Sequence, residues 1–249
     1  MLLLVPRLVP SLVAPTVQKK TISERTLSAM LQTLLQTLQA SYPLTQLDVG
    51  EFSTVKASGM TFSIQAYEAN GLGRVSVMSA KGFFGLMKMD TLIINPTLVD
   101  LPLYSYDRIY AMGNDTLIVE LYDTLTPESA FSPAQLQQTK ALYADLPVHP
   151  LGAHWYDSIK LPESISHKGK KNLEARFDEL TFDHFKAYLE SAPAQSNRAE
   201  AEISSKQEKA AYYVNGLLQN GGPSTDVFKK AMGEEKTGKL FREVLFGVK

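Results

Sequence analysis

The chain has 249 residues, of which 44% are apolar and 20% are charged, and its formal net charge is −1. These values are typical of a globular protein, and we expect a single domain over residues 1–249. The balanced charge argues against a nucleic-acid partner. The absence of cysteine excludes disulfides, thiolate metal sites, cysteine nucleophiles and iron–sulfur clusters held by the protein itself.

The first ten residues are apolar, but prolines at positions 6 and 10 interrupt them. They carry no basic leader and no cleavage signature of small residues, and they are too short to span a bilayer. We expect this segment to pack onto the core. We also expect a cytoplasmic protein without a membrane partner.

The first predicted helix starts near Thr21, where Thr21 and Glu24 form a capping-box pattern. Apolar residues then recur at helical spacing while Gln, Thr and Ser occupy the opposite side. This stripe comprises Leu27, Met30, Leu31, Leu34, Leu35 and Leu38. An amphipathic helix of this kind is expected to pack against an apolar core.

The period changes to two over the next part of the chain, which predicts strands over 61–68, 74–80, 86–94, 107–112 and 116–122. Glycine and asparagine separate these runs and tolerate the positive φ of tight turns, so neighbouring strands are expected to pair as antiparallel hairpins. No helices alternate with the strands, which argues against a doubly wound parallel sheet.

The remainder is predicted to be helical over 133–143, 182–191, 198–218, 225–232 and 235–246, with a surface loop over 162–172. A helix, a block of antiparallel strands and several further helices indicate an α+β fold. We expect a three-layer α/β/α sandwich with a central antiparallel sheet.

The usual cofactor motifs are missing. Gly71-Leu72-Gly73 lacks the third glycine and the following helix of a dinucleotide-binding turn. The four histidines show neither helical pairing nor a carboxylate at zinc-ligand spacing. We therefore expect no metal site, and we expect His149 and His154 at the surface.

Two stretches resemble the ferredoxin-dependent bilin reductases, a family that also includes the red chlorophyll catabolite reductases. The first is the Leu-Pro-x-x-x-x-Asp segment from Leu101 to Asp107. The second covers 212–246 and resembles the closing helix pair of the family, with Lys-Ala-x-Gly at 230–233 and Val-Leu-Phe at 244–246. The resemblance implies the α/β/α sandwich that the periodicity also predicts.

The resemblance further implies an enzyme that reduces a linear tetrapyrrole such as biliverdin. Such an enzyme binds no cofactor, takes electrons from reduced ferredoxin and acts as a monomer. Its own task is to hold the tetrapyrrole and to place an acid beside it. The resemblance leaves open which double bond is reduced.

This sequence departs from the family pattern in two places. The branch that forms phycocyanobilin has a histidine on the strand matching 86–94, where this chain has Asp90 or Thr91, depending on a one-residue gap. Several members have an acidic residue before the penultimate helix, where this chain reads Asn220-Gly221-Gly222-Pro223. The set of proton donors is therefore reduced or rearranged.

Asp107 is the first candidate for the catalytic acid, because the resemblance directs it into the tetrapyrrole pocket. We expect Tyr104, Tyr106, Ile109 and Tyr110 to surround it, and burial would raise its pKa. The alternative is an exposed aspartate that caps a turn.

Three other acids are weaker candidates. Asp90 is expected to assist Asp107, or else to pair with Lys88 on an exposed face. Glu120 and Asp123 are expected to face solvent.

The substrate-binding candidates are Lys88, Tyr106, Arg108 and Asn220, because bilin propionates need cations or hydrogen-bond donors. A wider basic rim could also dock an acidic ferredoxin. It comprises Lys168, Lys170, Lys171, Lys229, Lys230, Lys236, Lys239 and Arg242.

Three alternatives stay open. A tetrapyrrole carrier without activity would explain the missing histidine and the glycine pair at 221–222. Reduction of a chlorophyll catabolite is suggested by the stretch 223–228. A lipid-binding protein is suggested by eight methionines and the leucine-rich first helix.

Overall fold

The computed structural model describes residues 27–192, 199–222 and 224–248. The predictions for the apolar first ten residues and for the helix start at Thr21 and Glu24 lie outside these residues. No described helix has an apolar stretch long enough to cross a membrane.

The centre of the molecule is an antiparallel sheet of eight strands in the order β1-β3-β4-β5-β6-β7-β8, with β2 also paired to β3. The strands are β1 (Leu44–Leu47), β2 (Thr54–Ala57), β3 (Met60–Ala69), β4 (Gly73–Gly82), β5 (Met87–Asn95), β6 (Leu103–Ala111), β7 (Asn114–Tyr122) and β8 (Ile165–Lys170). From β2 to β7 each strand pairs with the next, as the turn residues predict.

The helices pack on the two faces of this sheet. They are α1 (Ala29–Ser41), α2 (Ala134–Leu142), α3 (Glu174–Glu190), α4 (Glu200–Asn220) and α5 (Thr225–Lys239), which continues into a π-helical segment (Leu240–Phe246). In α1, Ser28 caps the first turn, and its leucine stripe is buried in the core as predicted.

Alternation along the strands separates two apolar cores. On the α1/α3 face, Leu92 of β5 and Tyr104 of β6 pack with the leucines of α1 and the aromatic residues of α3. On the opposite side, the C-terminal face, Ile93 and Leu103 pack with α4, α5 and the π-helical segment. The predicted α/β/α sandwich with an antiparallel sheet is confirmed.

The structure differs from the prediction at one end of the sheet. Residues 165–170 form β8, although the lysine-rich stretch 162–172 was expected to be a loop. Ile165 and His167 are buried, while Lys168 and Lys170 are exposed. Exposed lysines are typical of an edge strand, where they hinder pairing with another chain. Helix α3 also begins at Glu174, eight residues before the predicted start.

Candidate active site

Asp107 lies near the middle of β6 and its side chain belongs to the C-terminal face. The sheet register places it between Thr91 of β5 and Ile118 of β7. The Thr91 hydroxyl donates a hydrogen bond of 2.5 Å to Asp107 Oδ1. Of the two residues that could stand at the family's histidine position, Thr91 is therefore the one beside Asp107.

A small cavity of about 70 Å³ lies in front of Asp107. Its walls carry three tyrosines, Tyr122, Tyr156 and Tyr213, and are completed by Phe241 and Phe246 of the π-helical segment. The Tyr122 and Tyr213 rings are 4.1 Å apart, and the Tyr122 and Tyr156 rings 5.6 Å apart. Asp107 therefore faces an aromatic enclosure.

This enclosure is not the one expected from the sequence. Tyr104, Tyr106 and Tyr110 were predicted to surround Asp107, but they point to the α1/α3 face. The reason is the period of two, which sends residues 104, 106, 108 and 110 to one side of β6 and residue 107 to the other. The aromatic residues near Asp107 come instead from β7, α4, the π-helical segment and the 3-10 turn Trp155–Ile159.

Burial raises the pKa of Asp107 to about 6, although the hydrogen bond from Thr91 opposes the shift. The nearby negative charge of Glu120 raises the pKa further. An ordinary aspartate is almost fully ionised at neutral pH. Asp107 instead keeps a usable protonated fraction, so it can act as an acid.

Glu120 was expected to face solvent, but it is only 9% exposed and lines the Asp107 cavity. The Tyr122 hydroxyl donates a 2.7 Å hydrogen bond to Glu120 Oε2, and Lys160 Nζ lies 3.5 Å from Oε1. Glu120 is two residues from both Ile118 and Tyr122, so the period of two along the strand could have placed it on the same face as these apolar side chains. Asp123 is exposed as predicted and pairs with Lys209.

Asp90 lies on the α1/α3 face, so the expectation that it assists Asp107 is corrected. Its partner in the sheet register is Arg108, one residue away from Asp107. Asp90 accepts a 2.6 Å hydrogen bond from the Ser79 hydroxyl and lines a cavity of about 510 Å³ together with Lys88. The whole sheet separates these groups from Asp107.

Arg108 and Tyr106 also lie on the α1/α3 face. Arg108 is buried in a two-pronged ion pair with Asp115, and its Nη1 lies 3.4 Å from Asp178. Tyr106 is fully buried and its hydroxyl has no hydrogen-bond partner. The structure therefore does not bring Lys88, Tyr106 and Arg108 together with Asp107 as one substrate site.

The same face holds a buried histidine, His184 of α3. Its Nε2 donates to the Glu163 carbonyl at 3.2 Å, and burial lowers its pKa to about 4. His184 is therefore neutral at physiological pH. Among the described residues, no group of three histidine, aspartate or glutamate side chains is arranged to hold a metal ion.

Asn220, the fourth predicted substrate-binding residue, is exposed at the end of α4 on the C-terminal side. The adjacent Gly221 carbonyl accepts a 3.2 Å hydrogen bond from Trp155 Nε1. The Trp155 ring lies so close to Gly216 of α4 that an added Cβ would overlap it. The Trp155 ring is also 5.9 Å from the ring of Tyr213. Trp155 therefore lies beside the aromatic side chains that enclose the Asp107 cavity.

Several residues of the predicted basic rim are engaged within the protein. Lys236 pairs with Glu51, Lys239 with Glu235, and Arg242 donates to the Asn215 side chain. Lys229 donates to the Leu218 carbonyl, and Lys170 donates to the Asn114 side chain at 2.8 Å. These contacts hold the basic residues in place at the surface.

Comparison with known proteins identifies the fold. No family model and no curated protein matches the chain. Among solved structures, SeMet-phytochromobilin synthase from tomato in complex with biliverdin matches with a TM-score of 0.73 and 12% sequence identity, covering 87% of this chain and 81% of that one. The fold predicted from the resemblance is confirmed: this chain has the fold of that phytochromobilin synthase.

Proposed function

We propose that the protein binds a linear tetrapyrrole against the C-terminal face of the sheet and reduces it with electrons from reduced ferredoxin, without a bound cofactor. The fold likeness to a synthase in complex with biliverdin supports the substrate class. The site chemistry supports a role for the protein as proton donor.

The observation that carries the proposal is the Asp107 carboxyl, with a pKa of about 6, in an aromatic cavity. Each electron added to a bilin must be followed by a proton. An acid whose pKa lies near the working pH is protonated in a useful fraction of molecules and can still release its proton. Asp107 donates this proton, and Thr91 holds its carboxyl in position.

Binding requires a change of shape, because a cavity of about 70 Å³ is much smaller than a typical ligand site of about 300–1,000 Å³. The cover over Asp107 consists of the end of α4 and residues 224–246. Gly233, with a φ of +84°, interrupts α5 within this cover. The tetrapyrrole therefore enters when this layer moves away from the sheet.

The test mixes the purified protein with biliverdin under anaerobic conditions, adds reduced ferredoxin and follows the bilin spectrum. We expect a bound-bilin spectrum that changes on reduction in the wild type. Asp107→Asn should keep binding and slow reduction by at least about 100-fold, the usual contribution of a positioned acid. Asp123→Asn, at the exposed end of the neighbouring strand, is the matched control. Failure to bind biliverdin, or a stoichiometric flavin in the purified protein, would contradict the proposal.

A tetrapyrrole carrier is the second candidate, and the larger cavity on the α1/α3 face favours it. That cavity, of about 510 Å³, has the size of a ligand site but is separated from Asp107 by the sheet. A bilin bound there would be carried without reduction. Lys88→Glu would then weaken binding, whereas the exposed Lys230→Glu would not, and ferredoxin would change no spectrum.

A further inference from the structure

Glu120 is the one side chain that borders both the Asp107 cavity and a separate outer cavity of about 430 Å³ among the described cavities. The outer cavity is lined by Lys140, His149 and Lys160, near the bend that precedes β8. His149 is half-buried there, and the side chain of Lys160 is 22% exposed. Glu120 therefore stands between Asp107 and a space open to solvent.

The two carboxyl groups are neighbours on the same face of the sheet. Asp107 pairs with Ile118, and Glu120 is two residues further along β7, so the two are diagonal neighbours. Such residues have Cα atoms about 7–8 Å apart. The cavity of about 70 Å³ between them has room for about two water molecules, at roughly 30 Å³ each.

The two oxygens of Glu120 have different partners. Oε2 accepts the hydrogen bond from Tyr122, which fixes the carboxyl group. Oε1 is buried without a hydrogen-bond partner, and Lys160 Nζ reaches it only at 3.5 Å. Oε1 therefore keeps room for a further hydrogen bond, which most buried polar atoms in native structures have already made.

Lys160 fixes the position of this oxygen at the edge of the outer cavity. Its Nζ lies 2.7 Å from Asp157 Oδ1, in an exposed ion pair, and also faces Glu120. Asp107, Tyr122, Tyr156 and Tyr213 also face Glu120 and carry no positive charge. Lys160 therefore supplies the positive charge in contact with Glu120, and Lys140 and His149 line the outer cavity beyond it.

We propose that Glu120 relays protons from the outer cavity to Asp107. This inference rests on the proposed function, since Asp107 must be recharged after each proton that it gives to the substrate. The Glu120 carboxylate first takes a proton from hydronium in the outer cavity, which leaves a water molecule there. The Glu120 carboxylic acid then passes a proton through bridging water to the Asp107 carboxylate and becomes a carboxylate again. No electrons move in this step, and the net result is one proton transferred from solvent to Asp107.

The first test compares Glu120→Gln with the wild type in ferredoxin-driven turnover of biliverdin. We expect binding within about twofold of the wild type, turnover lowered by at least about tenfold, and a larger solvent deuterium isotope effect. Glu120→Asp should recover part of the rate because it keeps an ionisable group. Asp123→Asn, three residues beyond Glu120 and one residue past the end of β7, should match the wild type. Turnover and isotope effect unchanged in Glu120→Gln would overturn the relay.

The second test needs no turnover, so it separates the relay from the proposed function. After a rapid pH drop from 8 to 5, infrared absorption reports the protonated Asp107 carboxyl as the band that is lost in Asp107→Asn. We expect this band to appear at least about tenfold more slowly in Glu120→Gln than in the wild type. Equal rates would overturn the relay. A wild type that fails to reduce bilins, with a slowed band in the variant, would overturn the proposed function alone.

Discussion

Arg108 and Asp107 are neighbours in β6, but their side chains lie on opposite faces of the sheet. Arg108 has an oppositely charged partner, and Asp107 has none among the described residues. On the α1/α3 face, Arg108 is buried in an ion pair with Asp115. On the C-terminal face, Asp107 has a threonine hydroxyl and a second carboxyl group as its polar neighbours, and its pKa rises to about 6. The charge of Arg108 is compensated by its partner, whereas the raised pKa of Asp107 costs stability at neutral pH and makes this carboxyl available as an acid. Variants that alter one face at a time can test this division.

The largest effect is expected from Asp115→Ala, which leaves the buried Arg108 with only its 3.4 Å contact to the partly exposed Asp178. Removing one partner of such a pair costs about 3–5 kcal/mol. Urea unfolding followed by circular dichroism measures the loss. Asp178→Ala is the control, because Asp178 is 43% exposed and its contact with Arg108 should contribute less than about 1 kcal/mol. Equal losses in both variants would contradict the assignment.

Acidification should destabilise the α1/α3 face through His184. Its pKa is lowered to about 4 by burial, so the unfolded chain takes up a proton near pH 6.5 that the folded chain does not accept. The contribution is complete above pH 6.5, and about 3 kcal/mol is lost as the pH falls to 4. His167, whose pKa burial also lowers, acts in the same direction. Unfolding free energies of His184→Gln should show a flatter pH profile than those of the wild type.

Asp107→Asn should stabilise the protein at pH 8. The raised pKa means that the folded state holds its proton between pH 3.8 and about 6 while the unfolded chain has released it, so stability falls as the pH rises through this window. The shift, reduced by the partial exposure of Asp107, corresponds to about 2 kcal/mol. The gain should vanish below pH 4, where both states are protonated. A loss of stability at pH 8 would show that the carboxylate is favourably bound.

The smallest contrast comes from two tyrosines. Tyr122→Phe removes the hydroxyl that donates to Glu120 and should cost about 1–2 kcal/mol. Tyr106→Phe removes a buried hydroxyl without a partner and should be neutral or slightly stabilising. Thermal unfolding of the two variants at pH 7 compares the faces directly. The reverse order would contradict the difference in their hydrogen bonding.

The five long strands and their antiparallel pairing followed from the sequence, because a period of two and glycine-bearing turns are local signals. The prediction missed β1 and β2, which are only four residues long, too short for a period of two to be recognised from the sequence. It also missed β8, whose exposed lysines resemble the composition of a loop. Short and charged edge strands depend on their partners, which a local pattern does not contain.

The site was predicted in part. The resemblance selected Asp107, and the structure places it, partly buried, at an aromatic cavity. The sheet face of each neighbouring residue was predicted from its polarity and not from the strand register. As a result, Asp90 was expected beside Asp107, and Glu120 was expected to face solvent. A shift of one residue changes the face of a strand residue, and only the register of β5 against β6 separates Asp90 from Thr91.

The contact between Trp155 and Gly216 gives the protein its own optical reporter. Trp155 is the only tryptophan of the chain, and its ring packs on α4 at the edge of the layer that moves in the proposed binding of a tetrapyrrole. Its fluorescence should therefore shift when this layer opens, and a bilin bound nearby should quench it. Opening and binding can thus be timed separately in the unlabelled protein, before any electron is supplied.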